Sequence, residues 1–450
     1  MTTHLGSLNF NKQCESHCFK KEGIMIDIKL IRENPDFVKK GLANKNDKSS
    51  IDEILSLDVE RREKLQLVEE LKAKRNSASQ QIGKLKQAGE STDAIMVEMK
   101  QVSDDVKKLD DEIREVNETL QTLLSWLPNL PHETTPVGKS ADDNVETKVW
   151  KPEDFDFESD FKRLDHIELG KKLGILDFER GAKISGSGFP VYVGKGATLE
   201  RALINFMLDS HIQKHGYKEI FPPFLANADS MYGTGQLPKM QEDMYYAERD
   251  DLYLVPTSEV PVTNLHRNEI LSEEELPIQY VAYSACFRRE AGSYGKDSKG
   301  FLRVHQFNKV EMVKLVEPET SFDELEKIVS DAEEILVDLK IPYRLLLLCS
   351  GDLSFAASKC YDIETWSPAE NKWLEASSCS NFEDFQARRA NIKFRKKDVK
   401  KPVFLHTLNG SGLATSRLMV SILENYQTPE GKIIVPKVLQ KYTGFSVIEE

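Results

Sequence analysis

CFRREAGSYGKDSKGFLRVHQFNKVEMV, residues 286–313, opens with alternating apolar and charged residues, breaks at a turn-rich tip and closes on a second alternating run. The tip, 292–300, has three glycines in nine residues and no apolar face to bury. That pattern predicts two antiparallel strands joined by a long, mobile loop. Such a hairpin brings Arg288, Glu290, Phe307 and Glu311 to where two strands can aim them at one ligand. A guanidinium suits a phosphate or carboxylate, a flat ring suits a base, and a carboxylate suits an amine. Together they would serve a nucleotide and an amino acid. The alternative is a solvated hairpin with ordinary cross-strand charge pairs.

Upstream of the hairpin, residues 199–213 predict an amphipathic helix with Leu203, Phe206, Met207 and Ile212 on one side. A strand-like GYKEIFPP follows at 216–223, carrying Pro223. Residues 232–239 form a glycine-punctuated loop, read as a lid or positioning loop. Thr257-Ser258-Glu259 reads as a polar strand end, with Thr257 or Ser258 capping the next helix. Downstream, 325–339 predicts a helix and 343–349 a buried strand. WLEASSCSN, residues 373–381, brings a carboxylate and hydroxyls onto one strand end. Glu375 and Ser378 there offer oxygen ligands for magnesium, with ATP phosphates completing the shell. LNGSGLATSR, residues 408–417, is a glycine-containing strand end running into an apolar helix. It presents backbone N–H groups and a helix dipole to anions, and Arg417 could reach a triphosphate.

The N-terminal third has a different rhythm. Val68, Leu71, Arg75, Ala78, Ile82 and Leu85 step by three and four, as do Val102, Val106, Leu109, Ile113, Val116, Leu120 and Leu123. A polar break at 87–93 separates the two series. They predict an antiparallel coiled-coil hairpin whose arms, at about thirty residues each, reach on the order of 45 Å. Residues 71–89 contain no acid but carry Lys72, Lys74, Arg75, Lys84 and Lys86. Those cations read either as a solvated scaffold face or as a clamp for a phosphate backbone.

With 450 residues and 40% apolar content, the chain supports two or three domains with a sizeable core. No apolar run is long enough to span a membrane. A net charge of −13 argues against nonspecific polyanion binding by the whole surface. The six cysteines are scattered without a CxxC pair, so neither a disulfide framework nor zinc is expected, and a reduced, cytoplasmic setting fits. His17 between Cys14 and Cys18 is a weak metal pattern. Residues 1–24 are polar and unpatterned, and are expected to be a disordered extension.

The hairpin resembles motif 2 of class II aminoacyl-tRNA synthetases in the form carried by bacterial-type seryl-tRNA synthetases, through Phe287-Arg288-Arg289-Glu290, AGSYG and HQFNKVEMV. The helix and proline-bearing strand at 199–223 resemble motif 1, which builds the dimer interface in that class. The stretch at 408–417 resembles motif 3, with Ser416 where the family commonly has glycine. Thr257-Ser258-Glu259 resembles the family's Thr-Ala-Glu triplet. The resemblance runs from Met25 to the C-terminus and implies an α+β fold. That fold is an antiparallel sheet framed by helices, with an N-terminal antiparallel coiled-coil hairpin. The implied domains are a tRNA-binding helical domain at 25–128, a linker at 129–163 and a catalytic domain at 164–450.

The implied reaction activates L-serine with ATP and transfers the seryl group to tRNA(Ser), and to tRNA(Sec) as in many family members. Arg288, Glu290 and Arg417 would be the catalytic residues. Thr257, Ser258, Glu259, Arg288, Glu311 and Ser411 would bind serine. Arg288, Arg289, Glu290, Val304, Phe307, Glu375, Ala376, Ser377, Ser378 and Arg417 would bind ATP, with Glu375 and Ser378 on Mg2+. Lys72, Lys74, Arg75, Lys84 and Lys86 would grip tRNA, and Arg388 and Arg389 would face tRNA or solvent. The partners expected are ATP, serine, tRNA and a second copy in a homodimer, with no membrane. A dormant RNA-binding relative would have lost Arg288, Glu311 or Arg417. A relative that charges a carrier protein would have lost the hairpin.

Overall fold

The computed structural model describes residues 26–158, 161–291, 299–397 and 399–450. The extension 1–24, with Cys14, His17 and Cys18, and most of the tip 292–300 lie outside the described residues. The chain divides into two compact units. One comprises the chain up to Ala43 together with Asp47–Leu127; the other comprises Asn44–Asn46 and Pro128–Glu450. Among the described residues, no helix is long and apolar enough to cross a membrane.

The first unit is dominated by α1 (Ile51–Ala88) and α2 (Asp93–Ser125). Ser50 starts α1 by accepting the Glu53 N–H at 3.3 Å, satisfying one of the amides that a helix start leaves open. Gly89 stops it with φ of 73°, a left-handed conformation that costs glycine little. The arms pack antiparallel: Val68 clusters with Val106 and Ile113, and Ala78 with Met99 and Val102. On α2 the seam ends at Leu124 rather than Leu123. Its last steps run 116, 120, 124, following the 3.6-residue period of a straight helix rather than a strict heptad. Inside α1, the buried carboxylate of Asp58 accepts from Arg32 at 2.6 and 3.0 Å and from Arg61 and Arg62 at 3.1 Å.

The second unit is built on an eight-stranded sheet. Its strands, in chain order, are β1 (Val145–Trp150), β2 (Lys218–Ile220), β3 (Ile278–Phe287), β4 (Gln306–Val316), β5 (Tyr343–Leu347), β6 (Lys359–Ser367), β7 (Lys372–Asn381) and β8 (His406–Ala414). Their spatial order is β1-β5-β6-β7-β8-β4-β3-β2. Every pairing is antiparallel except β2 on β3, which is parallel. The expected hairpin is the β3–β4 pair, with Phe287 opposite Gln306. The stretch read as a linker contains β1, which extends the sheet along β5. The first five residues of β1 are exposed and show no apolar–polar alternation, since an edge position asks for little apolar content.

Helices α3 (Lys195–Gln213), α4 (Ser321–Asp338) and α6 (Thr415–Asn425) frame the sheet. Leu203 and Met207 of α3, Ile328 and Leu336 of α4, and Leu418 and Ile422 of α6 join Val310, Met312 and Leu408 in one core. Strand side chains alternate between faces, so Phe307, Lys309, Glu311, Asn409 and Ser411 point the other way. Toward the end of that second face, the short helix α5 (Phe385–Ala390) covers Val313 and Leu315 with Ala387 and Ala390. The rest of the face is left open.

Candidate active site

That open face carries a cavity of about 670 Å³. Its wall brings together Thr257, Glu259, Arg288, Glu290, Val304, Phe307, Glu375, Ala376, Ser377, Ser378, Ser411 and Arg417, residues spread over five separate stretches of sequence. Ser258, Arg289 and Glu311, expected there too, do not line it. Ser258 is fully buried and its hydroxyl faces the Ala282 carbonyl at 3.4 Å. The hydroxyl beside the helix start is that of Thr257, which accepts the Glu259 N–H at 3.2 Å. Arg289 is exposed, with its backbone N–H on the Asp243 carbonyl at 2.8 Å. Glu311 lies fully buried behind the wall, ion-paired with Lys309, which does line the cavity.

One group of side chains gathers positive charge. Arg288 stands with its guanidinium 5.2 Å from the Phe307 ring centre, a cation–π arrangement that holds both side chains beside one another. The Arg288 N–H also donates to the His305 carbonyl at 3.0 Å, tying it across the hairpin. Arg417, in the first turn of α6, donates to the Phe301 carbonyl at 2.7 Å. Arg303 pairs with Glu290 at 2.5 Å. Three guanidiniums around one wall make a seat for a polyphosphate. Glu375 is exposed along this wall but ringed by protein; burial holds its carboxyl above the usual range, while Arg417 and Arg288 pull it back.

A second group is organised around Glu259, which is 6% exposed. Gln386 donates to its Oε1 at 2.5 Å and Asn409 to its Oε2 at 2.8 Å. Burial pushes this carboxyl up to about 7, and the Glu311 charge adds to that; the two amide hydrogen bonds and Lys309 oppose it. A buried carboxylate near a polar lining of Thr257 and Ser411 suits a small ammonium-bearing ligand with a hydroxyl. The Ser411 carbonyl is held by the Ser377 hydroxyl at 2.6 Å.

Gln386, Asn409 and Lys309 were not singled out from the sequence. Asn409 sits inside the NGSG stretch and Lys309 two residues before Glu311, so both had a local signal. Gln386 had none. The same helix corrects a further expectation: Arg389 does not face solvent. It is 6% exposed, donates to the Tyr232 carbonyl at 2.6 Å and to that of Leu237, and lies 4.0 Å from the Tyr232 ring centre. Its two carbonyl acceptors bracket Thr234, Gly235 and Gln236, which line the cavity. The 232–239 loop is therefore braced from below.

Magnesium was expected on Glu375 and Ser378. Among the described residues, no group of three or more His, Cys, Asp or Glu side chains could hold a metal ion alone. A carboxylate and a hydroxyl on the cavity wall are hard oxygen donors, which fit an ion that takes most of its shell from phosphate and water.

On the helical arms, the five expected cations differ. Lys72 pairs with Asp110 at 3.3 Å and Lys74 with Glu98 at 2.6 Å, across to the returning arm. Lys84 and Lys86, nearer the turn, are exposed, and Arg75 is half-buried.

Residues 243–426 match the tRNA synthetase class II core domain (G, H, P, S and T), and residues 25–131 match the seryl-tRNA synthetase N-terminal domain. The serine–tRNA ligase of Chloroherpeton thalassium is 63% identical over 428 residues, covering 94% of this chain and 100% of that protein. The crystal structure of seryl-tRNA synthetase from Pyrococcus horikoshii complexed with ATP aligns with a TM-score of 0.89 at 41% identity, over 94% of this chain and 99% of that one. Cytoplasmic serine–tRNA ligase from Naegleria fowleri in complex with AMP aligns at 0.85 and 30% identity, with the same coverage. Sharing both domains, and 94% of its length, with serine–tRNA ligases, this chain belongs to the seryl-tRNA synthetases of class II.

Proposed function

We propose that the chain activates L-serine with ATP and passes the seryl group to tRNA(Ser). The observation that carries this reading is the pairing, in one cavity, of an arginine-lined wall with a buried carboxylate held by two amides. The first suits a nucleotide triphosphate and the second an amino acid's ammonium. The serine carboxylate attacks the α-phosphorus, the bond to pyrophosphate breaks, and seryl-adenylate forms. A terminal hydroxyl of tRNA then takes the seryl group and AMP leaves. No side chain has to exchange a proton in the first step, so positioning and charge neutralisation carry it. Arg288 spans the α-phosphate and the serine carboxylate, a bidentate task that Lys cannot copy. Phe307 stacks on the adenine, Glu290 accepts from its amino group, and Arg417 holds the far phosphates. Glu375 and Ser378 would hold a magnesium ion, which would supply neutralisation of the phosphate charge. Glu259 takes the serine ammonium, and Thr257 and Ser411 take its hydroxyl. A site built to hydrogen-bond that hydroxyl rejects alanine strongly, because its own polar groups are left unpaired.

The helical hairpin grips tRNA through Arg75, Lys84 and Lys86, and the enzyme works in the cytoplasm as a homodimer. Phe221, 75% exposed beside the sheet-edge strand β2, supports a second copy on that edge, where motif 1 lies. The reading is tested by incubating the full chain with ATP, labelled serine and a tRNA(Ser) transcript. Serine should appear in acid-precipitable tRNA; a tRNA(Ala) transcript should stay uncharged. Labelling of neither, or of both equally, contradicts it.

A further inference from the structure

Gln386 lies on α5, buried to 1% exposure, and makes three hydrogen bonds of fixed sense. Its Nε2 donates to Glu259 Oε1 at 2.5 Å and to the Thr234 carbonyl at 3.2 Å. A carbonyl oxygen can only accept, so the nitrogen, not the oxygen, must face Thr234 and Glu259. Its Oε1 accepts the Thr407 hydroxyl at 2.7 Å, which fixes the amide from the other side. Asn409, from β8, donates to the second oxygen of Glu259 at 2.8 Å. Both carboxyl oxygens thus receive hydrogens, an arrangement that favours the ionised form. The charged groups facing Glu259 both come from β4: Lys309 attracts the carboxylate and Glu311 repels it. Burial raises this carboxyl, and Gln386 and Asn409 are the neutral donors that oppose the rise. One turn along α5, Arg389 pins the Tyr232 and Leu237 carbonyls, so Thr234 is held where Gln386 needs it.

We propose that Gln386 is the positioning residue of the amino-acid pocket, turning the Glu259 carboxylate toward the ligand ammonium and favouring its ionised form, with Thr407 setting which way its amide points. This rests on the reading of Glu259 as the ammonium's partner. It makes α5, which lies outside the three class-defining motifs, part of how serine is selected.

The test uses the full-length protein and its Gln386→Met and Thr407→Val variants, both close to the natural side chains in size. Serine-dependent ATP–pyrophosphate exchange is followed from pH 6 to 9, with serine and ATP each varied. Losing a hydrogen bond to a charged group corresponds to roughly a 10- to 100-fold change. Gln386→Met is therefore expected to raise the serine KM about 10-fold or more, leave the ATP KM unchanged and move the acid limb of kcat/KM for serine to higher pH. Thr407→Val should do the same more weakly, and it decides the matter if Gln386→Met does not fold. An unchanged serine KM and acid limb in the folded variants, with the natural protein active, overturns the inference alone, as does an equal rise in both KM values. If the natural protein shows no serine-dependent exchange, the reading of the pocket falls and takes this inference with it.

Discussion

A carboxyl buried beside a second carboxyl is costly to ionise, and Glu259 sits in that position next to Glu311. Its pKa of about 7 ties stability to function in opposite directions. The folded value lies above the unfolded one of about 4.5, so its stabilising contribution is full below pH 4.5 and is lost as pH rises through 7. Glu259→Gln should consequently melt higher than the natural protein at pH 8, by on the order of 2 kcal/mol, with the gap closing below pH 4.5. The same substitution should lower kcat/KM for serine about 10²- to 10³-fold at pH 8 and flatten the limb below pH 7. Exchange kinetics and thermal melts across pH check both. At this scale the sequence was informative where chemistry sits in a patterned stretch: Arg288, Glu375 and Arg417 could be nominated from their neighbours. Gln386 could not. It is a neutral amide in a six-residue helix, and its partner Glu259 lies 127 positions away.

Among the elements, the helical hairpin was legible because its apolar steps repeat over many turns, and a long repeat is hard to mistake. The edge strand β1 was not, being six residues in a polar stretch with little to bury. Within α1, Asp58 is buried, yet its carboxyl lies below the usual range: burial raises it, and hydrogen bonds and charge from Arg32 and Arg61 more than reverse that. Asp58→Ala strands three guanidiniums, which are partly solvated, and should destabilise the helical unit by about 2 kcal/mol, read as a lower denaturant midpoint for helix loss. The contribution is lost only as pH falls below the ordinary carboxylate range. Near the turn, reversing Lys84 and Lys86 to Glu in one variant should weaken serylation of tRNA at least 10-fold while exchange without tRNA is untouched. Equal loss in both assays would remove the hairpin from the tRNA interface.

The molecule as a whole divides its work between a unit that repeats and a unit that converges. Heptads announce themselves locally. The cavity does not, since its wall is drawn from stretches that meet only when the antiparallel sheet forms, with β8 between β7 and β4. Motif resemblance supplied the class of fold; the placement of Glu311 behind Lys309, and of Arg389 beneath the 232–239 loop, required the packed structure. The central claim is that one cavity recognises serine and ATP together before any tRNA arrives. It is tested most directly by ATP–pyrophosphate exchange on the full-length protein without tRNA, with serine, alanine, threonine and glycine compared in parallel. Exchange with serine at least 10³-fold above alanine is predicted, in keeping with a site whose buried polar groups need the hydroxyl. Exchange with none of the four, or with alanine as readily as serine, would contradict it.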